Sequence, residues 1–328
     1  MNNEESYTQS NQSSPLVGDK RGAHNSEALS CAATVGFFDG VHRGHRFLIE
    51  QVKQVAREHG VESAVVTFAD HPRRVLHSDY QPQMLTTPEE KVRLLREAGI
   101  DKCCVLPFDE KMAQMSAYDF MRQVLKERFC VAYLVIGYDN RFGHNRQEGF
   151  DDYVAYGHEM GIEVVRAKAF EKGGVKVSSS VVRTLLSDGE VELAAQCLGY
   201  RYTIEGTVVS GFHEGRRMGF PTANIDIRSV AKMLPANGVY AMTASVGDGK
   251  TYPAMMNIGK RPTFSGDATT IEVNIIGYSG DLYGRRISVS FVRRLRAERK
   301  FASEKALMAQ LQKDREEVLK CAKRNSNQ

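Results

Sequence analysis

A chain of 328 residues, 42% hydrophobic, holds enough apolar material for two cores of ordinary size, since domains commonly run to roughly 100 to 200 residues. Its 44 basic and 40 acidic side chains are interspersed and leave a formal charge of +4, a field that demands neither nucleic acid nor a membrane surface and suits anionic small molecules equally well. No apolar run reaches the roughly 20 residues of a membrane span, and the N-terminus lacks the layout of a secretory signal. The six cysteines (31, 103, 104, 130, 197 and 321) fall into no zinc spacing, so the expectation is free thiols in a reducing cytoplasm.

Residues 1 to 28 are rich in Asn, Ser, Gln and Glu and too poor in apolar side chains to offset the entropy of ordering, which predicts a disordered head. From Cys31 onward, short apolar runs alternate with helical patterns: CAATVGFF, then RFLIEQVKQVAREHG, then ESAVVTFA. A helix opens at Thr87-Pro88-Glu89-Glu90, with Thr as N-cap, Pro at the first helical position and Glu three residues after the cap. CCVLPF follows, with Cys103 and Cys104 on a buried strand, then a capped helix from Ser116 with Asp119, the strand VAYLVIG, a helix near 151 to 160 and the strand IEVVRA. Strand and helix in regular alternation predict a parallel sheet flanked by helices, whose ligands bind beyond the carboxyl ends of the strands. A helical stretch ends near Leu198-Gly199, and the texture then changes to short strands separated by Gly, Pro and Asn: YTIEGTVVSG, GVYAMTASVG, TYPAMMNIG, TIEVNIIGY and ISVSFV. These predict an antiparallel barrel or sandwich closed by an amphipathic helix from Ser303. The expected division is a head over 1–28, an α/β domain over 29–186, a linker helix over 187–200 and a β domain over 201–328.

The first chemical constellation is Gly36-Phe37-Phe38-Asp39-Gly40-Val41-His42-Arg43-Gly44-His45, where a strand runs straight into a helix. Small residues let the backbone approach a phosphate, the helix N-terminus offers amides at the positive end of its dipole, and two histidines flank Gly44 where negative charge builds. This composes a triphosphate cradle without a covalent nucleophile. A glycine-rich βα turn with solvated histidines is the plainer alternative.

The segment resembles the HxGH signature of nucleotidylyltransferases, in the form found in bacterial bifunctional riboflavin kinase/FAD synthetases. Thr67-Phe68 with His71-Pro72, Gly137-Tyr138-Asp139-Asn140-Arg141-Phe142-Gly143 and Ser178-Ser179-Ser180-Val181-Val182-Arg183 match the same family in the same order. The resemblance spans residues 31 to 328 and implies a Rossmann-like α/β nucleotidyltransferase domain followed by an antiparallel β-barrel riboflavin kinase domain with a C-terminal helix. It implies that His42 and His45 hold ATP phosphates while FMN attacks the α-phosphorus, and that Arg183 adds a fixed cation. Gly36, Phe37, Gly40, Gly44, Asp139, Arg141, Ser179 and Ser180 are implied to shape the nucleotide site. Read singly, Arg183 is also a surface helix arginine, Asp139 a turn former and Ser178 to Ser180 an N-cap. Asp70 stands where the family usually has Pro, and Asn140 where Phe is commoner.

In the second half, Gly206 to Gly211 leads through Gly215-Arg216-Arg217-Met218-Gly219-Phe220 to Pro221-Thr222-Ala223-Asn224. The glycines permit close approach to phosphate, and Thr222 and Asn224 present hard oxygen donors of the kind magnesium takes. Alone, this also reads as an ordinary barrel loop. The match to the riboflavin kinase PTAN element implies Gly211, Arg216, Gly219, Phe220 and Pro221 around ATP and flavin, with Thr222 and Asn224 on Mg2+. In Thr270-Ile271-Glu272-Val273-Asn274 the same resemblance makes Glu272 the general base toward the ribityl hydroxyl, the alternative being an outward-facing strand glutamate. Gly277-Tyr278 replaces a commoner Asp-Phe pair.

Gly247-Asp248-Gly249-Lys250-Thr251 imitates a Walker A loop, but Ala244 occupies the first glycine position and no helix follows, so a hairpin turn is expected. The basic run from Arg285 to Lys300 has no aromatic platform for stacking bases and is read as a strand with solvated charged ends. Together these readings predict an enzyme that uses riboflavin, FMN and ATP with Mg2+, works in the cytoplasm as a monomer or weak homo-oligomer, and binds neither nucleic acid nor membrane.

Overall fold

The computed structural model describes residues 30–69, 83–138, 140–144, 147–170, 177–210, 219–263 and 266–326. The head over 1–28, Asp70 with His71-Pro72, Asp139, Gly211 and Arg216 lie outside the described residues. The chain divides into two compact units that interleave in sequence. One comprises Met1–Phe38, Arg46–Pro82 and Val92–Ala169, and the other Asp39–His45, Gln83–Lys91 and Phe170–Gln328.

The first unit is built on five parallel strands, β1 (Cys31–Val35), β2 (Glu62–Phe68), β3 (Lys102–Leu106), β4 (Val131–Ile136) and β5 (Glu163–Arg166), in the order β3-β2-β1-β4-β5. All five residues of β1 are buried, as a central strand covered on both faces requires. The expected parallel sheet is therefore present, with Cys103 and Cys104 buried on β3. Strand order reverses beside β1, and the loop that follows β1 leaves the sheet at this switch point, the place where such sheets take ligands.

Helix α1 (Arg43–Glu58) buries Ile49, Val52 and Ala56, one stripe at helical spacing. Helix α2 (Pro88–Glu97) begins with the expected reciprocal cap: Glu90 N donates to Thr87 Oγ1 and Thr87 N donates to Glu90 Oε2, both at 3.2 Å. After a short α3 (Glu110–Gln114), Ser116 caps α4 (Ala117–Asp119) by accepting from Asp119 N at 3.0 Å. This helix starts where expected but widens into a π-helix over Phe120–Arg128, which turns Phe120, Met121, Val124 and Leu125 into the core. Helix α5 (Phe150–Met160) precedes β5.

In the second unit, Ser178 caps α6 (Ser179–Asp188), and α7 (Val191–Leu198) ends at Gly199. Six strands follow: β6 (Thr203–Val209), β7 (Ala223–Ile225), β8 (Gly238–Ser245), β9 (Thr251–Thr263), β10 (Gly266–Ile275) and β11 (Arg286–Arg296). They close as an antiparallel barrel in the order β10-β7-β6-β11-β8-β9, which settles barrel over sandwich. Ile225, Ile271, Val273, Val289 and Phe291 belong to its buried core. The long helix α8 (Glu304–Ser326) covers part of the outer surface, packing Val318 with Val239, Ala241 and Met255. Asp314 on α8 is 4% exposed and forms an ion pair with Arg296 of β11 at 2.8 Å.

The Walker-like segment is the turn between the antiparallel β8 and β9, where Lys250 N and Tyr252 OH both donate to the Asp248 carboxylate. The basic run forms a strand with mostly solvated charges, as expected: Arg285, Arg286, Arg293, Arg299 and Lys300 are exposed, while Arg294 donates to the carbonyls of Asp188 and Asn237 and Arg296 pairs with the Asp314 carboxylate. All six cysteines are free thiols. Among the described residues no helix is long and apolar enough to cross a membrane.

Candidate active sites

The loop after β1 is held in a costly conformation. Phe38, Gly40 and Val41 have φ of 55°, 78° and 36°, and Val41, a β-branched residue, is fully buried there. For the non-glycine Phe38 and Val41 such backbone costs on the order of 1–3 kcal/mol each, whereas Gly40 adopts it freely, and it persists only where its surroundings over-determine it. The surroundings here are built on Asp39, 2% exposed, whose carboxylate accepts from Leu85 N, Thr86 N and Thr86 Oγ1 at 3.0 Å and pairs with the Arg183 guanidinium. Thr86 Oγ1 also accepts from Gly40 N at 3.2 Å. The main-chain carbonyls are taken as well: Asp39 O accepts from Ser179 Oγ at 2.9 Å and Gly40 O from Tyr200 OH at 2.7 Å.

The loop delivers the two histidines to the first turn of α1. Their rings stack with centroids 3.6 Å apart and planes 16° from parallel. His45 N donates to His42 Nδ1 at 3.3 Å, so His42 serves as the helix cap. A lone pair used on Nδ1 leaves the proton of a neutral His42 on Nε2. Gly44 leaves room for this packing: a Cβ there would stand 3.2 Å from the His42 ring, close enough to push it. Burial lowers the His45 pKa well below its ordinary value, and the neighbouring His42 and Lys91 lower it further, so His45 is neutral. The result is a neutral His45 stacked on His42 at a helix N-terminus, with Lys91 itself only 2% exposed.

The sequence-expected residues distribute as follows. Gly40, His42, Gly44, His45, Ser179 and Arg183 come together in the second unit. Arg183 binds Asp39 and donates from Nε to Gln83 O at 2.9 Å. Ser180 is exposed on the first turn of α6, whose cap is Ser178. Gly36 and Phe37 belong to the first unit, where Gly36 N donates to Val66 O and Phe37 O accepts from Thr67 Oγ1. Arg141 is exposed in that unit, and the family-atypical Asn140 donates to Val35 O, joining the ends of β4 and β1. Sequence reasoning did not single out Asp39, Thr86, Tyr200 or Lys91. Their only local signal is polarity, and the partners that bury Asp39 lie 46 to 144 residues away.

A second polar group lies on the barrel. Strand β7 pairs with β10 so that Asn224 stands directly opposite Glu272, and β10 pairs with β9 so that Glu272 stands opposite Asn257. Directly paired residues of antiparallel strands share a face with Cβ atoms about 5 Å apart. Ile271 and Val273 alternate with Glu272 into the barrel core, so Asn224, Glu272 and Asn257 form a row on the outer surface, all half-buried. Glu272 thus faces outward, but toward Asn224 and Asn257 rather than toward open solvent. Asn274, 6% exposed, donates to Pro221 O at 2.7 Å and holds the approach to Thr222 and Asn224. Phe220 is buried and Gly219 exposed at the start of this segment. Asn257 was not foreseen, because only strand register reveals it.

Among the described residues no cluster of three His, Cys, Asp or Glu is arranged to hold a metal ion. Thr222, Asn224 and Glu272, which pairs across the strands with Asn224, all carry side-chain oxygens, the donor type that magnesium accepts while keeping several waters.

Comparison with known proteins finds two family matches along the chain. A family profile described as FAD synthetase matches residues 24–181, and one described as riboflavin kinase matches residues 198–322. The chain is 38% identical over 297 residues to a bifunctional riboflavin kinase/FMN adenylyltransferase of Escherichia coli, covering 90% of this chain and 94% of that protein. It is 36% identical over 301 residues to the protein of the same name from Bacillus subtilis, covering 90% and 93%. A solved structure described as a macrolide-efflux protein from Streptococcus pneumoniae superposes with a TM-score of 0.80 at 31% identity, covering 88% of this chain and 93% of that one. With both profiles matched in order and relatives aligned over nearly their whole length, the chain belongs to the bifunctional riboflavin kinase/FMN adenylyltransferase family.

Proposed function

We propose that this chain makes flavin cofactors in two steps: riboflavin and ATP give FMN and ADP, then FMN and ATP give FAD and pyrophosphate. The observation that carries the reading is the presence, in one chain of this family, of a stacked histidine pair at a helix N-terminus and of Glu272 in register with Asn224 on a barrel surface. We assign adenylyl transfer to residues 29–186, phosphorylation to 201–328 and a linking role to 187–200.

In adenylyl transfer a phosphate oxygen of FMN attacks the α-phosphorus and the bond to the bridging oxygen of pyrophosphate breaks. His42, with its proton on Nε2, and His45 donate to the phosphate oxygens as charge gathers on them. The N-terminus of α1 adds its dipole, and we assign Gly40, Gly44, Ser179 and Ser180 of the second unit to the nucleotide site. No covalent intermediate is required. The work is positioning and charge neutralisation in a sealed place. Arg183 contributes by orienting Asp39, and adds positive charge beside the phosphates.

In phosphorylation Glu272 takes the proton of the ribityl 5′-hydroxyl as that oxygen attacks the γ-phosphorus and ADP departs. Thr222 and Asn224 are the residues that would hold magnesium, which when bound neutralises the ATP phosphates. Contacts to ATP and flavin are assigned to Gly219, Phe220 and Pro221 and, on sequence alone, to Gly211 and Arg216. The six free thiols fit a reducing cytoplasm, and small anionic substrates fit the modest net charge. We further propose a monomer or weak homo-oligomer that engages neither nucleic acid nor membrane.

Incubation of the purified chain with riboflavin, ATP and magnesium, followed by chromatography of the flavins, tests the reading. FMN appears first and FAD second; absence of either product from a folded sample overturns the corresponding half.

A further inference from the structure

Among the described residues, bonds cross from the stretch matched as riboflavin kinase to the stretch matched as FAD synthetase inside the second compact unit. Tyr200 OH donates to Gly40 O at 2.7 Å, Met233 N donates to Met84 O at 2.8 Å, and Lys232 Nζ pairs with Glu90 Oε2 at 2.6 Å. The Lys232–Glu90 pair is nearly sealed, with side chains 6% and 12% exposed. Lys232 also lies over the Tyr202 ring, 4.7 Å from its centroid, and Tyr202 OH donates to Met233 O. An ion pair buried this deeply is expensive to desolvate, and its best-attested use is to fix one arrangement over others.

The arrangement it fixes leads to the histidines. Glu90 Oε2, which Lys232 grips, is the same oxygen that accepts from Thr87 N to begin α2. Thr87 follows Thr86, whose hydroxyl bridges Asp39 and Gly40, and Lys91 follows Glu90 and lowers the His45 pKa. We infer that Lys232, a residue of the kinase-matched stretch, is a positioning residue for adenylyl transfer, acting through Glu90 and the Leu85–Thr87 segment to hold the loop that presents His42 and His45. It touches no reacting atom. The outcome is a dependence of the second reaction on the barrel segment that precedes β8, while the first reaction is independent of Lys232.

This inference rests on the assignment of adenylyl transfer to the His42/His45 loop, and that assignment is tested separately by FAD formation from FMN in the unaltered chain. Given that activity, Lys232→Met lowers kcat/KM for ATP in FAD formation on the order of 10- to 100-fold, as displaced catalytic groups do. The KM for FMN and the rate of riboflavin phosphorylation stay within twofold. Lys232→Arg, which keeps the cation and guards against a failure to fold, recovers at least a third of the lost rate. Glu90→Gln combined with Lys232→Met is no worse than the more damaging single change, because both act along one path. A folded Lys232→Met chain with unchanged FAD formation, a parallel fall in both reactions, or additive losses in the double variant each overturns the inference.

Discussion

Replacing Asp39 by Asn removes one charge and alters no volume, so it isolates what the carboxylate does for the loop. The carboxylate accepts from Leu85 N, Thr86 N and Thr86 Oγ1 and pairs with Arg183, all donors. The amide that replaces it carries one oxygen and one NH2 group, so at least one donor faces another donor. Breaking a fully buried pair costs about 3–5 kcal/mol. The Arg183 side chain is 24% exposed and regains some water, which places the loss near the lower end, at about 3 kcal/mol. For a unit of this size that corresponds to a fall in Tm of roughly 6–12 °C. The strained turn at Phe38, Gly40 and Val41 loses the anchor that holds it, and FAD formation from FMN falls by about 100-fold, while riboflavin phosphorylation at Glu272 is spared below the new Tm. Differential scanning fluorimetry and separate assays of the two reactions provide the readout. An Asp39→Asn chain with Tm within 1 °C and FAD formation within twofold of the unaltered chain would refute the reasoning.

Glu272→Gln keeps the shape but removes the base, so riboflavin phosphorylation falls by about 10²- to 10⁴-fold while FAD formation from supplied FMN continues; a retained kinase rate removes Glu272 from its role. His45→Ala has the reverse pattern, and loss of both activities in folded protein would show that the two sites are not separate. The neutral His45 makes stability fall with acid. Its folded pKa is depressed, so the unfolded chain binds one more proton below about pH 6.5, and stability drops by about 1.4 kcal/mol per pH unit from there down to the folded pKa. Urea titrations at pH 7.5 and 5.5 measure this, and His45→Asn flattens the difference; an equal slope in both proteins contradicts it. Arg296→Met strands the buried Asp314 carboxylate on the inner face of α8 and lowers stability by about 3 kcal/mol, whereas Arg296→Met with Asp314→Leu recovers most of the loss. A single variant that costs under 0.5 kcal/mol would show that the pair adds nothing.

Much of the fold was legible because its signals are local. The Thr87-Pro88-Glu89-Glu90 cap formed as read, since both of its hydrogen bonds close within four residues. The βα alternation led to the parallel sheet, and Gly247 to Lys250 made its turn, because those patterns reflect burial and backbone freedom residue by residue. The widening of the helix at Phe120 was not legible, for it is set by which side chains the core admits. Asp39 sat in plain view inside the motif, but sequence reasoning gave it no role of its own. Its role depends on Leu85, Thr86 and Arg183, and no periodicity links positions so far apart. The same holds for Lys232 and Glu90, separated by 142 residues. PTAN and TIEVN were recognised as chemical segments, but that Asn224 faces Glu272 is a fact of register across a three-residue strand.

That register has a consequence for how this barrel tolerates change. Ile271 and Val273 belong inside and Glu272 outside only because β7 meets β10 at one alignment. A slip of one residue, from an insertion or deletion beside either strand, would carry a carboxylate into the space now filled by isoleucine and valine and turn those residues to water. Such a protein would lose its interior and the carboxylate proposed as base in the same event. Half-folded barrels that hold ATP and flavin but leave the hydroxyl unreacted are thereby disfavoured, and loss of activity by indels near Ala223 or Ile275 should appear as loss of the protein itself.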